Sequence, residues 1–591
     1  MALAAPPQRI QYTVTVADTT KKLFRVSLTA EGITDSTLNV AIPAWSPGWY
    51  VLTNADKNIA NVAALNEEKQ MLPVMHPDRH AWRVETGGAK TVTVTYDLTA
   101  KDQDPEAVGP GSGGQKDYGF FAPYLDESNG FVPGPASLMY VVDGKMAPCQ
   151  VTYKVPEGWK IASANDPVAG DPTTFTAPNY DVLVDQPGEL GHFTRYDRTL
   201  RGTPISVILV GAGDKNAEAF VNACWRIVEA GFRVYGTVPF PRYIFHFRFL
   251  AKSPGMEGLE HLNSTVISLP LSTLDPPDIS ALSIVAHEYT HAWNVKRIRP
   301  AVLGPFDYTQ EVRIKDLWWL EGVTDYYAPR LLVEAGLTTD AYWRAYISDI
   351  LTSVQNNPAR KTVTLDTASL KAWEGRSEGF GGLSYYEKGL VVGLLLDVEM
   401  RKRTNNEVGL DDLLKALYQE VEDSGKGYPD GEIERLASKL THSDLSAFFK
   451  KALSTTDELD YDSILSGSGM QIERKNVTLP DVGLDDKSLT FVEGGLRVGH
   501  VTESGPAEKA GLKDGDVITS IDGKSVDDLT GSVLGNKEPG DTLRVSVRRD
   551  DHTLSFMITL GSTDTVLYSL VPQKDVSGSE AAIYRSITGS K

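Results

Sequence analysis

His287-Glu288-Tyr289-Thr290-His291 sets two imidazoles four residues apart, with a carboxylate beside the first. On a helix, positions i and i+4 lie one turn apart on one face. Both rings can then meet a single ion at about 2 Å, the zinc–histidine distance. Glu288 can reach a water on that ion without ligating it. Zinc lowers the pKa of such a water to about 7, within range of a carboxylate base. The same glutamate can later hand the proton to a leaving amine. The chain has only 10 histidines, so abundance does not explain the pair. The alternative, two surface histidines on a helix, predicts no third partner nearby.

A third partner is present. Leu317-Trp318-Trp319-Leu320-Glu321-Gly322-Val323-Thr324-Asp325-Tyr326-Tyr327 puts Glu321 in an apolar, aromatic helical stretch. An unpaired carboxylate there is costly, and a metal removes that cost. His287, His291 and Glu321 are the expected ligands, leaving one coordination position open as catalytic zinc requires. Asp325, one turn on, is placed to accept the second N–H of a ligand histidine. Cobalt or manganese would suit the same donors.

The elements that must position these groups are legible in outline. Asp275-Pro276-Pro277-Asp278 starts a helix expected to run to about Asn294. A second helix starts near Asp316 and meets Pro329, which should kink or end it. Residues 9–190 read as strands: Ile10 to Val16, Leu23 to Leu28 and Thr91 to Tyr96 alternate apolar and polar. Asp102 to Gly114 reads as a polar loop. Helical periodicity begins near Asn216, strands are expected at Tyr243 to Leu250 and Thr265 to Leu269, and helices follow to about 455. Residues 485–562 return to short strands and glycine turns, and 575–591 read as a loosely held tail.

Length and charge bound the rest. At 591 residues the chain holds about three to five domains. A net charge of -20, with no long basic run, argues against nucleic acid. The longest apolar run, Leu390 to Leu396, is too short to span a membrane. Cys149 and Cys224 make neither a disulfide framework nor a cysteine zinc cluster, and two buried thiols are expected. Ala2-Leu3-Ala4 has the look of a signal cleavage site, so an exported, periplasmic or secreted, protein is expected.

The histidine-pair helix followed by Trp-x-x-Glu-Gly resembles the gluzincin peptidases. His287-Glu288-Tyr289-Thr290-His291-Ala292-Trp293-Asn294, the 317–327 segment and Pro43-Ala44-Trp45-Ser46-Pro47-Gly48-Trp49-Tyr50 together resemble the PDZ-bearing glycyl aminopeptidase family. The resemblance covers nearly the whole chain. It implies a multidomain α+β protein: an all-β domain at 9–190, a thermolysin-like, mostly helical zinc peptidase domain at 191–470, and a PDZ domain at 485–562. Gly255-Met256-Glu257-Gly258-Leu259-Glu260-His261 resembles the Gly-x-Met-Glu-Asn strand of aminopeptidase N relatives, whose glutamate grips the substrate's α-amine. That implies the role for Glu260, with Glu257 as the alternative. His261 stands where those relatives carry asparagine, and its role is open. Tyr385-Tyr386-Glu387-Lys388-Gly389 resembles their Tyr-x-Lys-Gly segment, which implies Tyr386 as oxyanion donor. Phe380-Gly381-Gly382 would be a mobile cleft wall. The resemblance to a bacterial PDZ domain implies a peptide-carboxylate loop at Gly494, Gly495, Leu496, Arg497 and Val498 beside a free strand edge.

The expected activity is zinc-dependent hydrolysis of the N-terminal peptide bond of peptides with a free amine, with glycine or alanine first. Glu288 and Tyr386 are the expected catalytic residues. A zinc endopeptidase with the same ligands, and a PDZ adaptor with an inactive peptidase body, are the rivals.

Overall fold

The computed structural model describes residues 7–101, 122–250, 256–374, 382–484, 489–492, 494–526, 534, 536–550 and 552–590. The Ala2-Leu3-Ala4 segment, the 102–114 loop and Phe380-Gly381 lie outside these residues.

The alternating N-terminal pattern folds into β-sheet. Phe24, Val26, Leu28 and Ala30 point inward on strand Leu23–Glu31, while their neighbours point out, as a half-buried strand requires. That strand sits in an eight-stranded sheet between Arg9–Asp18 and Thr91–Thr99. Two four-stranded sheets complete the region. Cys149 and Cys224 are both free and buried.

A five-stranded sheet follows, ordered Thr194–Leu200, Thr203–Val210, Tyr243–Leu250, Ser264–Pro270, Glu257–Glu260. Strand Tyr243–Leu250 has parallel neighbours on both edges and is buried throughout, so both its faces are covered. One face receives the helix Glu218–Tyr235, with Phe220 on Phe247, and the histidine-bearing helix, with Tyr289 on Phe245. On the other face Ile208, Val210 and Ile244 cluster with Ala162, Ala164 and Phe193 of the preceding region.

The histidine-bearing helix spans Ile279–Thr290. Asp278 caps it, accepting from the N–H groups of Ser280 and Ala281 at 2.8 and 3.0 Å. Such a cap stabilises a helix by about 1 kcal/mol. The helix stops four residues short of Asn294. The Asn294 carbonyl accepts from His291 Nδ1, and its side-chain amide donates to the Trp319 carbonyl, while its backbone N–H still donates to the Thr290 carbonyl.

The second helix also differs from its expectation. Trp318–Val323 forms a π-helical turn that runs into the α-helix Thr324–Glu334, which continues through Pro329. Bonds on both sides hold it: Tyr326 to Asp397, Tyr327 and Arg330 to Asp411. These tertiary anchors outweigh the one backbone bond that proline removes. The π-turn packs backbone to backbone on the helix Tyr385–Arg403. A Cβ on Gly322 would lie 2.6 Å from the Gly389 main chain, and one on Gly389 would lie 2.5 Å from the Trp318 carbonyl oxygen.

A long two-stranded ribbon, Met470–Asp481 with Gly561–Pro572, brackets the PDZ region, which has its own core around Val498, Ile518, Val545, Val547 and Ile558. The ribbon docks on the helix Asp340–Asn356: Ser348, Thr352 and Asn356 bond the main chain of Leu570, Tyr568 and Val566. The tail expected to be loose forms the helix Gly578–Thr588 instead, capped by Ser577 and Glu580, with Ile583 and Ile587 buried. Its apolar spacing is too short to stand out in the sequence, and docking supplies the stability.

Gly389→Ala overpacks the contact with the π-turn. It is expected to lower stability by about 1–3 kcal/mol, read as a shift in the urea unfolding midpoint at unchanged slope.

Candidate active site

The histidine-bearing helix and the π-turn bring three groups together. His287 Nε2 and His291 Nε2 lie 3.0 Å apart, and Glu321 Oε2 lies 3.5 and 3.4 Å from them. A tetrahedral ion with ligands at about 2.0–2.1 Å has ligand–ligand edges of about 3.3–3.4 Å. The cluster therefore has the size of three corners of such a site. Both rings are held from behind. His291 Nδ1 donates to the Asn294 carbonyl at 2.7 Å, which leaves the lone pair of the neutral ring on Nε2. His287 Nδ1 meets Asp325 Oδ1 at 2.7 Å.

The electrostatics call for positive charge. Burial opposes a charged His287, yet Asp325 and Glu321 raise its pKa well above 6.5. Burial likewise opposes a charged His291, and Glu321 outweighs it. Burial would raise Glu321, but His291 and His287 hold it below the usual carboxylate range. The surroundings of all three groups thus favour positive charge between them, and the donor set fits a metal.

Glu288 is 6% exposed and lies against strand Glu257–Glu260 at Gly258, where a Cβ would sit 2.3 Å from its Oε1. Its Oε2 meets no hydrogen-bond partner among the described residues. Burial pushes its pKa up to about 7, against the pull of His287 and His291. A base near neutral pKa is well matched to proton transfer at pH 7.

Glu260 ends the same strand and is 4% exposed. Its carboxylate lies within 4.8 Å of that of Glu288 and of a His291 ring nitrogen. Residues three apart on a strand point to opposite faces, so Glu257 cannot share this position. It lines the cleft that His287, Glu288 and Tyr386 also line. Gly48 presses on Glu260 from the N-terminal region: a Cβ there would lie 2.6 and 2.7 Å from the two carboxylate oxygens. Tyr386 stands in the first turn of the helix Tyr385–Arg403, its ring 6.2 Å from that of His287.

His287, Glu288 and Tyr386 line a cleft of about 580 Å³, whereas Glu260 lines a smaller void with Gly48 and Lys296. Trp49, Glu257, Gly258 and Tyr386 form part of the cleft lining, and Tyr342, Tyr346 and Asp349 of the helix Asp340–Asn356 form another. Sequence reasoning assigned no role to Trp49 or to these tyrosines. The Pro43–Tyr50 motif was the available signal, but nothing local says which site it reaches.

Residues 11–192 match the Peptidase M61 N-terminal domain, 280–392 match M61 glycyl aminopeptidase, and 470–560 match a PDZ domain. The chain belongs to the M61 peptidase family. An aminopeptidase N family protein from Idiomarina loihiensis shares the fold, with a TM-score of 0.78 at 24% identity over 97% of this chain and 99% of that one. A "Serine protease Do-like HtrA" of Lactobacillus helveticus is 37% identical over 76 residues, 12% of this chain and 18% of the relative. A "Probable periplasmic serine endoprotease DegP-like" of Ectopseudomonas mendocina (strain ymp) is 30% identical over 140 residues, 23% and 28%. The chain thus spans less than a third of either curated relative.

The strand Glu257–Glu260 falls between the two M61 matches. In the PDZ domain, strand Gly495–Arg497 pairs with Thr490–Val492 on one edge and Val517–Ile521 on the other. Thr490–Val492 is itself the outermost strand on that side of the sheet among the described residues.

Asp325→Asn weakens the hold on the His287 ring while leaving the three donors in place. Metal affinity is expected to fall about 10–100-fold, read by competition with a chromophoric chelator.

Proposed function

We propose that this M61 peptidase is a zinc aminopeptidase that releases a small N-terminal residue, glycine before alanine, from peptides with a free α-amine. The observation that carries the reading is the buried Glu260 carboxylate beside the His287–His291–Glu321 cluster. An anion fixed there can hold an ammonium one residue from the scissile bond, which limits cleavage to chain ends.

His287, His291 and Glu321 would hold the ion. Bound there, zinc would supply Lewis acidity to the scissile carbonyl and to the attacking water. Glu288 takes the proton from that water and returns it to the leaving amine. The Tyr386 hydroxyl donates to the oxyanion, an interaction made mainly in the transition state. Glu260 accepts the α-ammonium, and the close approach of Gly48 keeps its carboxylate from swinging away. The preference for glycine rests on family membership. Tight packing of the Gly48 and Gly258 backbones against Glu260 and Glu288 is in keeping with it. Peptide binding by the PDZ domain is proposed as a second role. Action outside the cytoplasm is proposed too, supported by the periplasmic naming of one relative.

The first test pairs a glycyl peptide with its N-acetylated twin, each with and without chelator. Chelator-sensitive cleavage of the free peptide alone is expected. Equal cleavage of both would make the enzyme an endopeptidase, and cleavage of neither would favour the adaptor. Tyr386→Phe is expected to lower kcat by about 10²–10³ with little change in KM. Glu260→Gln should mainly raise KM for free peptides.

A further inference from the structure

The strand that carries Glu260 is only four residues long and lies at the edge of its sheet, paired with one neighbour. Such a strand has few restraints of its own. Its C-terminal end runs into a buried knot.

Asp185 lies just past the helix Tyr180–Val184, at the end of the N-terminal region. Its carboxylate accepts from the Leu262 N–H and meets His261 Nδ1, each at 3.1 Å. It also accepts from Lys296 Nζ at 2.8 and 2.9 Å. Asp185, His261 and Lys296 are 9%, 5% and 3% exposed. Burial would raise the Asp185 pKa, but Lys296 and His261 hold it below the ordinary value.

The partners of Asp185 make the knot informative. His261 directly follows Glu260. Lys296 follows the turn after His291, and its N–H donates to the His291 carbonyl at 3.1 Å. One carboxylate thus ties the residue beside the candidate amine anchor to the turn beside a candidate metal donor. Parallel bonds reinforce it: Arg297 donates to the Leu262 carbonyl and Asn263 Oδ1 at 2.6 and 2.7 Å, and Ser264 donates to Gln186 at 2.9 Å. A void of about 20 Å³, lined by Gly48, Glu260 and Lys296 among others, has room for one water between anchor and knot.

We propose that Asp185, acting through His261 and Lys296, is a positioning residue for the reaction. It holds Glu260 at the distance from the metal centre at which one substrate reaches both with its ammonium and its scissile carbonyl. Misplacement of a reacting group by about 1 Å is enough to lower rates about 10²-fold. This rests on the reading of Glu260 as amine anchor.

The test compares glycine hydroxamate with acetohydroxamate, which share the metal-binding group and differ in the amine. Binding is measured by calorimetry on zinc-loaded wild type and on Asp185→Asn with Lys296→Met. The double change removes both buried charges, so neither is left unpaired. Metal content and unfolding midpoint are checked in parallel. Glycine hydroxamate is expected to weaken by about tenfold and acetohydroxamate by less than about threefold, with KM for a glycyl peptide rising more than kcat falls. His261→Ala, which keeps the Asp185–Lys296 pair, should move the ratio in the same direction. An unchanged ratio in both variants, or equal weakening of both inhibitors, overturns the positioning role. Equal binding of the two by the wild type would overturn the amine-anchor reading itself, and this proposal with it.

Discussion

Two imidazole nitrogens and a carboxylate oxygen held at 3.0–3.5 Å repel one another until positive charge lies between them. Much of the catalytic domain can be understood as keeping them there. The Asp278 cap and the apolar face of the helix Ile279–Thr290 fix the two histidines. The Asn294 carbonyl and Asp325 hold the rings from behind. The π-turn Trp318–Val323 sets the angle at which Glu321 enters. Inserted turns of this kind are frequent at functional sites because they re-aim one side chain without breaking the helix.

Several close contacts depend on the absence of a side chain. Gly322 and Gly389 let the π-turn touch the helix that carries Tyr386. Gly258 lets the strand Glu257–Glu260 lie against Glu288, and Gly48 lets the N-terminal region lie against Glu260. A Cβ at any of these four would come within 2.3–2.6 Å of a heavy atom, far inside contact distance. The glycines of the Glu-Gly, Lys-Gly and Gly-Leu-Glu motifs therefore share one physical role, close approach of main chain: to other main chain at Gly322 and Gly389, and to a site carboxylate at Gly258.

The N-terminal β region is part of the site as well as its support. It supplies Trp49 to the cleft lining and Gly48 to the back of Glu260. It also supplies the carboxylate that joins His261 to Lys296. A buried lysine–aspartate pair adds little net stability, since desolvation offsets most of the attraction. Its directional bonds restrict geometry more than they add energy.

The sequence by itself determined what short-range geometry can express. Four-residue spacing on a helix defines the His287–His291 pair, and a carboxylate within an apolar aromatic helix points to Glu321. Period-two alternation defines the N-terminal strands, and glycine turns with short strands mark the PDZ region. Tertiary structure decided what depends on distant partners. Strand parity separates Glu257 from Glu260, but only the docking of the sheet on the histidine-bearing helix says which of them faces the metal donors. Pro329 stays inside its helix because Asp397 and Asp411, remote in the chain, hold the turns around it. The tail becomes a helix because Ile583 and Ile587 find a surface to bury against. In each case the deciding interaction joins residues whose separation along the chain carries no periodic signal, so it exists only once the chain has folded.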